Sequence, residues 1–263
     1  MRFSLGKFKR AIVFVLAAMI ILSTIPMMMA FSTTEKVVVD MKGNLTDGAT
    51  DTDGKIIKKF STIRDAIDYI DSTGEAEGTI YINGTYATTD HESISGSKSQ
   101  SDKSYKYAPI TITGYSGTAD KLDLTDSYYH IVHGGELTVE NITFGTPASD
   151  TSSLSTTYTQ KAFWAANKFT IGENVVMTGS GLRLGGGYGW SGYDNYVEVH
   201  SGTYNYVYPA SNPNQNTTRL NYSVRYDFYG GTVKNFYGGY ISNSSGTPCI
   251  LADIIRVCSS NVC

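Results

Sequence analysis

Cysteine is missing from the first 248 residues of the chain, and Cys249, Cys258 and Cys263 all stand within the last fifteen. A disulfide framework is therefore excluded for most of the protein; the tail allows one bridge, Cys249 to Cys258, with a thiol left over. No histidine lies in that tail, so a zinc site there lacks a fourth ligand. Charge is also scarce, at 17%, against roughly 25% in an ordinary soluble domain. With 12% aromatic residues, the low charge excludes a disordered chain, which would be charge-rich and aromatic-poor. Alanine, glutamate, lysine, leucine and arginine do not dominate, which removes a coiled coil. The glycines have no three-residue period, which removes collagen. What the chain does have is 27 glycines and 20 tyrosines. A turn-rich β protein of one large domain or two small ones fits this balance.

Residues 1–30 read as a secretory signal. Arg2, Lys7, Lys9 and Arg10 precede an apolar run from Ala11 to Leu22, which Ser23, Thr24 and Pro26 interrupt before Ala30. Uncleaved, Ala11 to Ala30 would just span a bilayer. The polar pair and Pro26 shorten the apolar stretch, so cleavage is expected, and membrane contact is expected only through this segment if it is retained. The remainder is placed in the secreted or cell-surface compartment. Setting aside these four basic residues, which no acidic residue accompanies, moves the net charge from −3 to −7. No basic patch remains, so nucleic acid is not an expected partner.

Thr34 to Asp40 reads as a first strand, and an Asp- and Gly-rich loop follows from Gly43 to Gly54. Ile63, Ala66, Ile67 and Ile70 then fall on one face of a helix, with Ser61 as N-cap and Gly74 as stop. Gly78 to Tyr86 alternates like a strand. From Ile110 onward helical periodicity is absent, and short apolar alternations recur. Leu137-Thr138-Val139 resembles Phe169-Thr170-Ile171, and Val197 to Tyr204 matches Tyr226 to Val233 position for position. The starts at 137, 169, 197 and 226 are 32, 28 and 29 residues apart. Such a period in a β-rich chain marks a solenoid, whose coils share one core that no single coil can bury. Thr88 to Lys106, Pro147 to Gln160 and Pro209 to Ser223 are polar and read as loops leaving the coils. A β-sandwich is the alternative fold.

The Asp/Gly loop, Phe60-Ser61-Thr62-Ile63 with Ala66-Ile67, and Gly78-Thr79-Ile80-Tyr81-Ile82 with Gly84-Thr85-Tyr86 together resemble the N-terminal cap of right-handed parallel β-helices. These are the pectate-lyase-like proteins and bacterial cell-surface β-helix proteins. Gly135 to Phe144 resembles one of their coils, and the likeness extends over Val37 to Ser245. It implies an all-β, right-handed parallel β-helix whose capping helix covers an open sheet edge. It also implies an asparagine ladder through Asn141 and Asn174. The division expected is a signal at 1–30, a cap at 31–86, coils with loop insertions at 87–246, and a foreign or truncated tail at 247–263. The lyases of this family use clustered calcium-binding aspartates with an Arg or Lys base, and the hydrolases use aspartates with a Gly-His-Gly motif. Neither pattern stands in this sequence, so enzymatic activity is left open.

Glu198 and Asp227 occupy equivalent repeat positions, where alternation turns both outward on strands about 5 Å apart. Two adjacent carboxylates suit a glycosidase pair or a shared cation, and their repulsion would raise one pKa. A solvated outer face is the plainer reading. Asp51, Asp53 and Gly54 fall at positions three, five and six of a calcium loop, but Ala49 and Phe60 stand where two further ligands belong. An ordinary Asp/Gly turn is much the plainer reading, and no cofactor is expected beyond this weak candidate calcium site. On a strand the spacing of His130 and His133 would put them on opposite faces, so a turn pair is the plainer reading than a metal site, and His91 and His200 carry no signal. Eleven tyrosines fall between Tyr188 and Tyr240, together with Trp190. Tyr226 and Tyr204 are expected in the core. Tyr206, Tyr208, Tyr237 and Trp190 are candidates for stacking on sugar rings, since flat C–H faces pack on aromatic rings. The expectation is an exported protein that binds a polysaccharide or surface glycan without catalysis. A polysaccharide lyase or glycoside hydrolase, or a piece of a larger adhesin, are the alternatives.

Overall fold

The computed structural model describes residues 35–87, 96–98, 105–123, 132–133, 135–145, 162–165, 168–178, 183–184, 195–207, 224–236, 239–240, 249–250 and 254–257. Residues 1–30, where a signal is expected, most of the three polar segments, His91, His130, Trp190, Tyr208, Tyr237 and Cys258 lie outside these residues.

A nine-stranded sheet runs in the order β2 (Ile56–Phe60), β1 (Glu35–Asp40), β3 (Gly78–Asn83), β5 (Ile110–Gly114), β8 (Glu136–Glu140), β11 (Lys168–Ile171), β14 (Asn195–Val199), β16 (Val224–Phe228) and β20 (Ile254–Val257). A second sheet runs β12 (Val175–Thr178), β9 (Ile142–Gly145), β6 (Lys121–Asp123) and β4 (Thr85–Ala87). A third runs β17 (Thr232–Phe236), β15 (Thr203–Val207), β13 (Arg183–Leu184), β10 (Ala162–Ala165) and β7 (Val132–His133). From β3 the chain alternates between the long sheet and the others, adding one strand to each sheet it visits. Among the described strands every pairing is parallel except the short antiparallel pair β18 (Gly239–Tyr240) and β19 (Cys249–Ile250). A β-sandwich is built from antiparallel strands, so that alternative does not describe this molecule. The arrangement is strand-rich, with stacked parallel sheets, and is compatible with an all-β solenoid.

The repeat spacing becomes register. Leu137, Phe169, Val197 and Tyr226 are successive Cα partners across β8, β11, β14 and β16. One residue pair further along, Val37, Ile80, Ile112, Val139, Ile171, Val199 and Phe228 form a second buried column. Alternation sends these residues inward, and parallel register superposes them, so each coil extends the same core. Tyr204 and Tyr226 are both fully buried in it, as their matches Val233 and Val197 anticipate. At the turns, Asn141 and Asn174 hold positive φ angles of 46° and 55°, and the Asn174 amide donates to Asn141 Oδ1 at 3.0 Å. Asparagine tolerates this left-handed conformation better than most residues, and the amide pair forms one rung of the anticipated ladder.

Helix α1 (Ile63–Thr73) lays Ile63, Ala66, Ile67 and Ile70 on the core beside Val37, Val39 and Ile80. Its N-cap is Thr62, one residue later than expected. The Thr62 hydroxyl accepts the Asp65 N–H at 3.0 Å, and Gly74 closes the helix at φ 73°. Two further features of this cap differ from the sequence reading. Ile56–Phe60 forms an edge strand paired with β1, although its two adjacent lysines break the alternation. Gly78 to Tyr86 is two strands, because Gly84 turns a corner at φ 104°, a conformation that glycine reaches without penalty. The polar segment after β4 returns to α1, where Ser97 N–H donates to Asp68 at 2.8 Å and the Tyr105 hydroxyl to Asp71 at 2.8 Å.

Candidate functional site

The outward side of the long sheet changes character along the stack. Thr79, Thr111, Thr138 and Thr170 are consecutive partners, followed by Glu198 and Asp227. Two residues earlier on each strand, Glu136, Lys168, Tyr196 and Arg225 form a parallel column on the same outward side. Glu198 and Asp227 are thus brought together as direct Cα partners, as the repeat alignment requires, and the second column supplies each with its own cation.

Lys168 Nζ stands 2.8 Å from Glu198 Oε2, and His200 Nε2 stands 2.7 Å from Glu198 Oε1. The Arg225 guanidinium grips Asp227 with two donors, Nη2 to Oδ2 at 2.5 Å and Nε to Oδ1 at 3.1 Å. A paired fork of this kind is the strong form of a carboxylate contact. The Tyr196 hydroxyl adds a third donor to Asp227 at 2.7 Å, while its ring lies between Lys168 at 5.2 Å and Arg225 at 4.8 Å. Asp227 is only 1% exposed beneath these groups. Beyond the strand ends, the His200 and Tyr229 rings stack with centroids 4.8 Å apart, and Tyr229 remains 41% exposed. Glu173 Oε1 approaches His200 Nδ1 at 3.8 Å.

The electrostatics follow from these contacts. Burial pushes the Glu198 carboxyl up, but the hydrogen bonds and charges of Lys168 and His200 outweigh it and hold the group below its ordinary range. The repulsion that adjacency alone would produce is thus overridden, so Glu198 is an anion rather than a poised general acid. Burial, followed by the Asp227 hydrogen bond and the nearby carboxylates, pushes the Tyr196 phenol well up, so it stays a donor. A depressed carboxylate stabilises the fold above its unfolded pKa and loses that contribution as pH falls through the folded value. Unfolding free energy should therefore decline as the pH drops below the ordinary glutamate value of 4.5. Glu198→Gln should flatten part of that decline in urea titrations across the acid range. An acid limb unchanged by the substitution would contradict the ion-pair assignment.

Lys168, Tyr196, His200, Arg225 and Tyr229 were not singled out by sequence reasoning. Lys168, Tyr196 and Arg225 had a usable signal, since each immediately precedes the aligned core residue of its repeat. His200 and Tyr229 lie past the strand ends, where alternation says nothing about direction. Tyr206 is in β15, with Arg183 and Asn235 as backbone partners. Tyr208, Tyr237 and Trp190 are outside the described residues, as is Cys258, which leaves the bridge to Cys249 without a structural account.

Asp51 and Asp53 lie far from this patch, in the turn ahead of β2. The Lys36 ammonium stands 2.5 Å from an oxygen of each, in the space a shared cation would use. Asp51 Oδ1 accepts the N–H groups of Asp53 and Lys55 at 2.9 and 2.8 Å, so it organises the turn. Among the described residues, no group of three or more His, Cys, Asp or Glu side chains is arranged to hold a metal. Compared with known protein families, curated proteins and solved structures, the chain matches none of them.

Proposed function

We propose that this chain is an exported, right-handed parallel β-helix protein of pectate-lyase-like build, and that it binds glycans on the outward patch of its long sheet without catalysing their cleavage. The observation that carries the reading is the way the patch spends its charges. Glu198 and Asp227 are each committed to a cation of the same protein, while the Tyr229 ring, backed by His200, is offered to solvent. A glycosidase acid must be free to hand its proton to the leaving oxygen; a buried, fork-held Asp227 has no such access. A flat exposed ring beside hydroxyl and carboxylate groups suits the mixed apolar and polar faces of a sugar. Tyr206, which belongs to the third sheet, and Tyr208, Tyr237 and Trp190 remain sequence-based candidates for further sugar contacts in this reading, and no cofactor enters it. The signal-like leader and the net charge of −7 without it favour an extracytoplasmic setting and disfavour nucleic acid.

An array of plant and host polysaccharides tests the proposal. Binding is expected, with Tyr229→Ala weakening it about tenfold, the worth of one stacked ring. Tyr208→Ala and Tyr237→Ala should weaken it in the same direction. If nothing on the array binds, and the three substitutions change nothing, the reading fails. Release of unsaturated or reducing sugars that Glu198→Gln abolishes would replace it with an enzyme.

A further inference from the structure

Lys36 occupies a setting that the glycan patch does not use. It lies on β1, on the side opposite the core residues Val37 and Val39, and is only 7% exposed. Its ammonium stands 2.5 Å from Asp51 Oδ2, 2.5 Å from Asp53 Oδ2, and 4.9 and 5.0 Å from the centroids of the Tyr81 and Tyr115 rings. The Asp51 side chain is fully buried. Asp51 Oδ1 has two backbone N–H donors, but Oδ2 has no hydrogen-bond partner. The Lys36 nitrogen is near enough to Oδ2, yet it approaches outside hydrogen-bonding geometry. A buried ion pair at rest normally aims an N–H at each oxygen, so an orphaned carboxylate oxygen beside an ammonium needs its own explanation.

We propose that Lys36 and Asp51 condense into an intramolecular amide, a covalent cross-link between β1 and the turn ahead of β2, with Asp53 relaying the protons. Lys36 passes a proton to Asp53, to which it already donates. Asp53 hands that proton on to Asp51 Oδ2, leaving a neutral amine and a neutral acid. The nitrogen lone pair attacks Cγ of Asp51, forming the C–N bond as the electrons of the C–Oδ1 double bond move onto Oδ1. The N–H groups of Asp53 and Lys55 already point at that oxygen, as an oxyanion site requires. When the carbonyl re-forms, the Cγ–Oδ2 bond breaks. The nitrogen, which carries two hydrogens after the attack, passes one to Asp53, Asp53 hands it to Oδ2, and Oδ2 leaves as water. One ammonium and one carboxylate become one amide and one water, with no oxidant or outside reactant. Oδ2, the atom without a donor, is the leaving group.

The step is slow in this setting. Burial favours the neutral amine, but the close contacts and charges of Asp51 and Asp53 outweigh it and hold the ammonium above the ordinary lysine range. Reaction therefore draws on the small fraction of molecules in which the proton has moved. Permanent contact between the reacting groups compensates, since well-held neighbours reach effective molarities of about 10⁵–10⁸ M. The product carries no charge in a site walled by two phenol rings, so the burden of burying an ion pair disappears.

Intact-mass measurement of the full chain tests the proposal, followed by proteolysis and sequencing of the fragments. The wild type is expected to be one water lighter than its sequence, with Lys36 and Asp51 recovered in one branched peptide. Lys36→Arg keeps the charge but cannot form this amide, and should run at full mass. Asp53→Ala should slow the appearance of the lighter species by at least about a hundredfold, as for loss of a general acid–base. A wild-type chain that stays at full mass after prolonged incubation overturns the proposal, and this measurement does not depend on any variant folding. Water loss can also arise from a succinimide at Asp53-Gly54 or Asp47-Gly48. Loss that persists in Lys36→Arg, or that mild alkali reverses, therefore overturns the proposal as well.

Discussion

Truncating Tyr226 to alanine is expected to lower the unfolding free energy by about 3–5 kcal/mol, the range for removing a large buried aromatic side chain. Tyr226 is fully buried, pairs with Val197 on one side and Ile255 on the other, and stacks on Phe228 with centroids 6.1 Å apart and planes within 8°. A void at this position has little means of closing. The strands on either side are held at the parallel ladder spacing of about 4.8 Å, so neighbouring side chains cannot slide in without breaking register. Tyr226→Phe keeps the ring and should cost less than about 1.5 kcal/mol, the scale of one hydrogen bond. Urea unfolding measures both, with the midpoint reporting the loss and an unchanged slope showing that the same surface unfolds. A Tyr226→Ala loss below about 1 kcal/mol would mean that the column is not packed as described.

Arg225→Ala is expected to be nearly as damaging, at about 3–5 kcal/mol, although the Arg225 side chain is itself 42% exposed. The damage lies with Asp227, which is 1% exposed and would lose its two-pronged guanidinium partner. Removing one member of a pair whose other member is buried leaves an uncompensated charge, and this is the costly case. An exposed pair, by contrast, contributes about 0–1 kcal/mol. The double variant Arg225→Ala with Asp227→Ala should recover much of the loss, because no charge then remains to be buried. A double-mutant cycle separates that coupling from lost packing against Tyr196. If Arg225→Ala costs under about 1 kcal/mol, or if the double variant is simply the sum of the singles, the contact is an ordinary surface pair.

The two substitutions also mark how far the sequence could be read. The position of Tyr226 in the core was legible, because its repeat aligns with Val197 and both alternate with outward residues. The adjacency of Glu198 and Asp227 was legible for the same reason. Their chemical state was not. Adjacency alone argues for mutual repulsion and a raised pKa, whereas Lys168, His200, Arg225 and Tyr196 reverse the balance for Glu198 and cover Asp227. Lys168 and Tyr196 reach across from the neighbouring coil, while His200 and Arg225 lie two residues from their carboxylates. Whether they bond depends on side-chain direction, which spacing does not specify. Asp51 and Asp53 were similarly legible as a turn, but Lys36, which lies between them, is fifteen and seventeen residues away, and Tyr81 and Tyr115 are farther still.

Local order sufficed for the amphipathic face of α1, the stop at Gly74, the column 137, 169, 197 and 226, and the asparagines at the turns. Each rests on a periodicity or a backbone preference that neighbouring residues impose on one another. Tertiary structure decided the rest: the edge strand Ile56–Phe60, the corner at Gly84, the cations paired with the outward carboxylates, and the lysine closed between two aspartates. Burial selects residues by a pattern that repeats along the chain. Charge pairing selects them by distance through space, and that distance exists only once the coils have stacked.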